Sequence, residues 1–188
     1  MSDLYSKLVV VSGPSGAGKD TVVAKLLEKD SDISLSVSAT TRAPRGSEQN
    51  GVEYYFLSVE DFLAKAENDG FIEHAQYGSN YYGTLKSDVE ERLADGKTVV
   101  LVIEVQGAAN IKKMYPQSLS IFIMPPSLEV LENRLRGRKT ESEADIQKRL
   151  GIAAEEMKKS VDYDFTVVND ALEDAVNDAY NIIKNHNK

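Results

Sequence analysis

The run Lys7-Leu8-Val9-Val10-Val11-Ser12-Gly13-Pro14-Ser15-Gly16-Ala17-Gly18-Lys19-Asp20-Thr21 decides the fold. Its first six residues are a short, β-branched apolar segment, the pattern of a strand buried on both faces of a parallel sheet. Three glycines and a proline between positions 13 and 18 then interrupt any regular element. From Lys19 to Lys29 the apolar residues Val22, Val23, Leu26 and Leu27 fall at helical spacing. A glycine-rich loop between strand and helix turns successive backbone amides inward, and the helix adds the positive end of its dipole. Lys19 places a point charge at the end of that loop. Such an arrangement binds phosphate. One detail departs from the usual pattern: Asp20 follows the lysine, and the hydroxyl arrives one residue later at Thr21.

Outward from this run, residues 98–105 (TVVLVIEV), 119–124 (LSIFIM) and 165–168 read as further buried strands. Helices are predicted over 108–115, 127–135, 143–159 and 172–184, with Ser127 as an N-cap and Glu129 in the first turn. Strands alternating with helices imply an α/β fold, a parallel sheet with helices on both faces. Residues 33–84 break this rhythm. They offer short strands at 34–38, 54–57 and 71–76, a helix from about Ser58, and turns at Gly46 and Asn50-Gly51. The expectation is a small mixed α/β insertion with an antiparallel element.

Composition narrows the chemistry. The 188 residues are 41% hydrophobic, enough for one sizeable core. Cysteine is absent, which excludes disulfides and thiolate metal sites and suits a reducing compartment. The apolar run near the N-terminus is too short for a signal peptide or a membrane span, so a cytoplasmic protein without membrane partners is expected. Thirty acids against twenty-two bases give a net charge of −8, which repels nucleic acid. On that background two basic clusters stand out: Arg42 with Arg45, and Arg134, Arg136 and Arg138 with Lys139. His74 and His186 are too few to build a metal site.

Further motifs join the phosphate loop: Ser38 through Thr41-Arg42-Ala43-Pro44-Arg45-Gly46; Glu48; Tyr54; Phe71-Ile72-Glu73-His74; and Tyr81-Tyr82-Gly83-Thr84. Further on come Glu104-Val105-Gln106-Gly107, Arg134 to Glu141, and Val168-Asn169-Asp170. Taken together these motifs resemble guanylate kinase. The resemblance implies a three-layer P-loop NTPase fold over residues 1–188. Its core would be 1–32, 85–133 and 150–188, its GMP-binding lobe 33–84, and its short helical lid 134–149. It implies ATP-dependent phosphorylation of GMP and dGMP, with Mg²⁺ accompanying ATP.

By the same resemblance Gly13, Pro14, Ser15, Gly16, Ala17, Gly18, Lys19, Asp20 and Thr21 hold ATP, and Asn169 meets its adenine. Ser38, Arg42, Arg45, Tyr54, Glu73, Tyr82, Thr84 and Glu104 fall at GMP-binding positions. Lys19, Arg42, Arg134, Arg138 and Arg149 are the expected catalytic cations. The chemistry agrees: arginines fork onto a monophosphate, tyrosines donate to it, and a Glu73 carboxylate accepts from guanine N1–H and the 2-amino group.

Three departures stand out: Asp20 in the loop, Lys139 in the lid, and Val102 where many members carry an acid. Val102 and Glu104, two apart on the predicted strand, are expected to face the phosphate loop together. Asp20, with Thr21, is then a candidate for an Mg²⁺ contact, direct or through water. The alternative, which the few protein ligands Mg²⁺ needs favour, is that Asp20 only caps the helix and points away from the metal. Two other readings share the fold. A ribose 1,5-bisphosphate kinase would also carry Gly-Lys-Asp, but has no use for a guanine pocket. A non-catalytic guanylate-kinase-like module would have a damaged phosphate loop, whereas here Lys19 and the glycines are intact. Monomer and homodimer both remain open.

Overall fold

The computed structural model describes residues 4–137 and 142–187. A 3-10 turn (Leu4–Lys7) leads into β1 (Leu8–Ser12), all five of whose residues are buried. Then come α1 (Lys19–Lys29), β2 (Ile33–Leu35), β3 (Ser38–Thr40) and β4 (Tyr55–Phe56). They are followed by α2 (Val59–Glu67), β5 (Phe71–Tyr77), β6 (Asn80–Leu85) and α3 (Lys86–Ala94). Next are β7 (Thr98–Val102), α4 (Val105–Met114), β8 (Leu119–Met124) and α5 (Leu128–Gly137). The chain continues through α6 (Glu143–Lys158), a 3-10 turn (Lys159–Asp162), β9 (Phe165–Val168) and α7 (Leu172–His186).

Five strands form a parallel sheet in the order β2-β7-β1-β8-β9, with Val9 in register with Val100 on one side and Leu119 on the other. The alternation along β1 explains its composition. Val9 and Val11 pack with Val22 and Leu26 of α1 and Ile183 of α7, while Leu8 and Val10 pack with Val89 of α3 and Ile111 of α4. Both faces are covered, so every position of the central strand must be apolar or small. Because β1 is central, its C-terminal end delivers the phosphate loop to the middle of the sheet's edge.

A second sheet, β4-β3-β6-β5, is antiparallel at β3–β6 and β5–β6 and parallel at β3–β4. Phe62 of α2 closes its core, its ring 4.3 Å from Phe71 and 5.5 Å from Tyr81. Ser58 caps α2, its hydroxyl accepting from the Asp61 amide at 3.0 Å. The two sheets are fastened at buried Asp88 of α3. It takes a forked bond from Arg92 (3.0 and 2.9 Å) and another from the Tyr55 hydroxyl (3.1 Å), and Arg92 also reaches Ser34 Oγ at 2.7 Å.

Besides β6 (Asn80–Leu85), which is not among the strands expected in 33–84, three elements differ from the sequence expectation. The strand expected over 34–38 is two strands in two sheets. Ser36 still donates to the Val100 carbonyl (3.0 Å), but Val37 turns to the Asp88 carboxylate (3.4 Å), and the chain leaves the parallel sheet there. The strand expected over 98–105 ends at Val102, and Glu104 is the N-cap residue of α4. β-branched Val105 reads as strand in sequence, yet it opens a helix. Val102 and Glu104 therefore share no strand face: Val102 packs into the α1/α7 cluster, and Glu104 stands exposed at the head of α4. The third element, α3, has no counterpart in the sequence reading. It buries only Val89 and Leu93 beside Asp88, too little for an apolar stripe. Among the described residues no helix is long and apolar enough to cross a membrane.

Candidate active site

The phosphate loop bends through residues with left-handed backbone angles, among them Gly13 (φ +142°) and Gly18 (φ +90°). At Gly13 the reason is proximity as well as φ. A Cβ there would stand 2.1 Å from the Ile123 carbonyl oxygen of β8. Gly13→Ala should therefore lower the melting temperature by about 5 °C or more, a cost of at least ~2 kcal/mol. An unchanged thermal transition would show that β8 gives way instead.

Lys19 donates to the carbonyls of Gly13 (2.6 Å) and Pro14 (3.1 Å), so its ammonium lies within the curl of the loop. Burial lowers its pKa, and the fields of Asp20, Glu156 and Glu104 oppose that shift. Asp20 and Thr21, next in sequence to this lysine, are exposed in the first turn of α1. Arg149 of α6 donates to Ser15 Oγ at 2.6 Å. Arg134 of α5 donates to the backbone carbonyl of Asn169 at 2.8 Å, and the Asn169 side chain donates to the Ala17 carbonyl at 2.8 Å. The structure thus brings Lys19, Arg134, Arg149 and Asn169 to one loop. Arg138 lies outside the described residues.

The lobe carries the second half of the site. Ser38, Thr84 and Glu73 occupy one row across three strands, with Ser38 opposite Thr84 and Thr84 opposite Glu73. A β-bulge makes the row possible. Phe71 pairs with Leu85 but Glu73 pairs with Thr84, so the extra residue, Ile72, turns Glu73 onto the Thr84 face. Thr84 Oγ1 donates to Glu73 Oε1 at 3.0 Å. A Cβ on Gly107 would lie 3.4 Å from Glu73 Oε2, which places the start of α4 against the carboxylate. Burial pushes the Glu73 pKa up; the Thr84 hydrogen bond opposes this and the charge of Glu104 adds to it.

Two residues along in register, Tyr82 pairs with Thr40, and its ring stands 6.4 Å from Tyr54. The Arg42 guanidinium lies over the rings of Tyr54 (5.2 Å) and Phe56 (5.8 Å). Both its terminal nitrogens donate to the Glu48 carboxylate, at 2.8 and 3.0 Å. Glu48 also accepts from the Arg45 amide at 2.7 Å, closing the 42–48 loop, and Arg42 holds its carboxyl down at about 2. Arg45 itself is exposed. Tyr81, beside Tyr82 in sequence, points the other way and stacks on Phe62.

Two residues received no role from sequence. Glu48 stands among the motif residues, three after Arg45, but its double bond to Arg42 needs the folded loop. Glu156, two turns beyond Arg149 on α6, puts a half-buried carboxylate in the field of Lys19. Glu104 and Glu156 are both among the residues lining a cavity of about 830 Å³ between α4 and α6.

A glycine-rich phosphate loop closing the central strand of a parallel sheet, with helices on both faces, defines a P-loop NTPase fold. The model of the family described as guanylate kinase matches residues 5–186, and the chain belongs to that family. A guanylate kinase of Hydrogenovibrio crunogenus is 49% identical over 179 residues, covering 95% of this chain and 87% of that protein. One from Fusobacterium nucleatum is also 49% identical, over 95% of this chain and 96% of its own. The crystal structure of guanylate kinase from Anaplasma phagocytophilum superposes with a TM-score of 0.75 at 38% identity, covering 96% of this chain and 85% of that one.

Proposed function

We propose that this chain transfers the γ-phosphoryl group of ATP to GMP, giving ADP and GDP. The observation that carries the reading is the Ser38–Thr84–Glu73 row, a half-buried carboxylate in line with two hydroxyls on the lobe. Glu73 accepts from N1–H and the 2-amino group of guanine, and Ser38 and Thr84 complete recognition of the base edge. Glu104 adds a second acceptor from the head of α4. Arg42 and Arg45, with the Tyr54 and Tyr82 hydroxyls, hold the GMP phosphate. The amides of residues 13–18 and the Lys19 ammonium hold the phosphates of ATP.

Catalysis is positioning and charge stabilisation. An oxygen of the GMP phosphate attacks the γ-phosphorus, the bond to the bridging oxygen of ADP breaks, and no side chain forms a covalent intermediate. Arg134, Arg138 and Arg149 belong to the segment that offsets charge growing on the transferred group. Among the described residues no cluster of three acids or histidines could hold a metal by itself. The oxygen donors Asp20 and Thr21, exposed beside Lys19, fit an Mg²⁺ ion that keeps most of its waters. When bound with ATP, that ion neutralises phosphate charge.

A coupled assay of ADP formation tests the reading with GMP and ribose 1,5-bisphosphate as alternative acceptors. Turnover with GMP alone is expected; turnover with the sugar bisphosphate alone would overturn it. Arg42→Ala should weaken GMP binding by about ten- to hundredfold while leaving ATP affinity within about twofold. Equal losses for both nucleotides would remove Arg42 from the acceptor site.

A further inference from the structure

Asn169 is 6% exposed, and three of its polar groups bond within the fold. Its amide nitrogen donates to the Met124 carbonyl at the end of β8 (2.8 Å). Its carbonyl accepts from Arg134 of α5, and its side-chain Nδ2 donates to the Ala17 carbonyl (2.8 Å). Gly18 makes room for that contact, since a Cβ there would stand 2.4 Å from Nδ2. On the other flank of the loop, Leu131 and Leu135 of α5 close on Gly16. One buried residue thus joins the end of β8, helix α5 and the phosphate loop.

We infer that Asn169 is a positioning residue for the phosphate loop, acting through the Ala17 carbonyl and serving any triphosphate donor whatever its base. The inference rests on the kinase reading but differs from a role as adenine reader. A base reader uses the side-chain oxygen toward the adenine 6-amino group; the loop contact uses the nitrogen. Without the nitrogen's bond the Ala17 carbonyl is left unsatisfied in a buried place, and the loop spends less time in the conformation that surrounds phosphate.

Asn169→Asp separates the two roles, because the carboxylate keeps the acceptor and loses the donor. The variant and the wild type are assayed with ATP and with purine riboside triphosphate, which lacks the 6-amino group. ADP binding is titrated directly, without acceptor. KM for both donors should rise by the same factor, about five- to hundredfold, ADP binding should weaken in parallel, and KM for GMP should stay within about twofold. A loss confined to ATP, or no loss, overturns the inference. If Asn169→Asp does not fold, Asn169→Ala takes its place with the same criterion: equal loss for both donors supports the inference, and loss with ATP alone overturns it. Failure of the kinase reading would show in the wild type, as absence of GMP turnover, and leaves the ADP titration to decide the role of Asn169.

Discussion

AMP should be a poorer acceptor than GMP by about 10⁴-fold in kcat/KM. In the proposed site the base edge would meet Glu73, which Thr84 Oγ1 already contacts and burial already disfavours as a charge. Guanine offers two donors, N1–H and the 2-amino group, and satisfies that carboxylate. Adenine offers a bare ring nitrogen in the same place and leaves a half-buried charge facing a lone pair. Sites built around substrate hydrogen bonds reject analogues lacking them far more strongly than apolar pockets reject a missing methylene, because the site's own polar groups are stranded. Initial rates with each acceptor at fixed ATP check the expectation. Comparable kcat/KM for the two would mean that Glu73 does not read the base.

Much of this site is written in residue types, and little of its geometry is. The loop from Gly13 to Lys19 was legible because a β-branched strand and a periodic helix flank it, so local pattern and fold agree. Arg42, Tyr54, Glu73 and Tyr82 were legible by their order in a family pattern. What aligns Glu73 with Thr84 and Ser38 is the bulge at Ile72, and a bulge is set by the pairing of two strands, not by the composition of one. The division of 34–38 between two sheets is of the same kind, since it depends on Asp88, fifty-one residues from Val37. Helix α3 carries no clear apolar period because its inward side includes an ion pair, Asp88 with Arg92. Glu104 illustrates a boundary error: an acid followed by valine continues an apolar strand in sequence, whereas in three dimensions it heads a helix.

Glu73→Gln should abolish useful GMP binding, a loss of about a hundredfold or more, while raising the thermal stability of the ligand-free protein. The first effect follows from hydrogen-bond polarity: a glutamine presents one acceptor and a donor where guanine brings two donors. The second follows from the direction of the Glu73 shift. Its pKa is raised in the folded state by burial and by the charge of Glu104, so the ionised form costs stability at neutral pH. That cost is present above the raised folded pKa and disappears as pH falls below the unfolded value, where the group is protonated in both states. Stability of the wild type relative to Glu73→Gln should therefore improve on acidification through this window. GMP affinity moves the opposite way, weakening as the carboxylate protonates. GMP binding in turn draws the Glu73 pKa down and releases a proton when the pH lies near it. Melting curves and GMP titrations at matched pH values test both arms. If Glu73→Gln lowers stability at neutral pH, the half-buried carboxylate is a structural partner of Thr84, not a charge held in reserve for guanine.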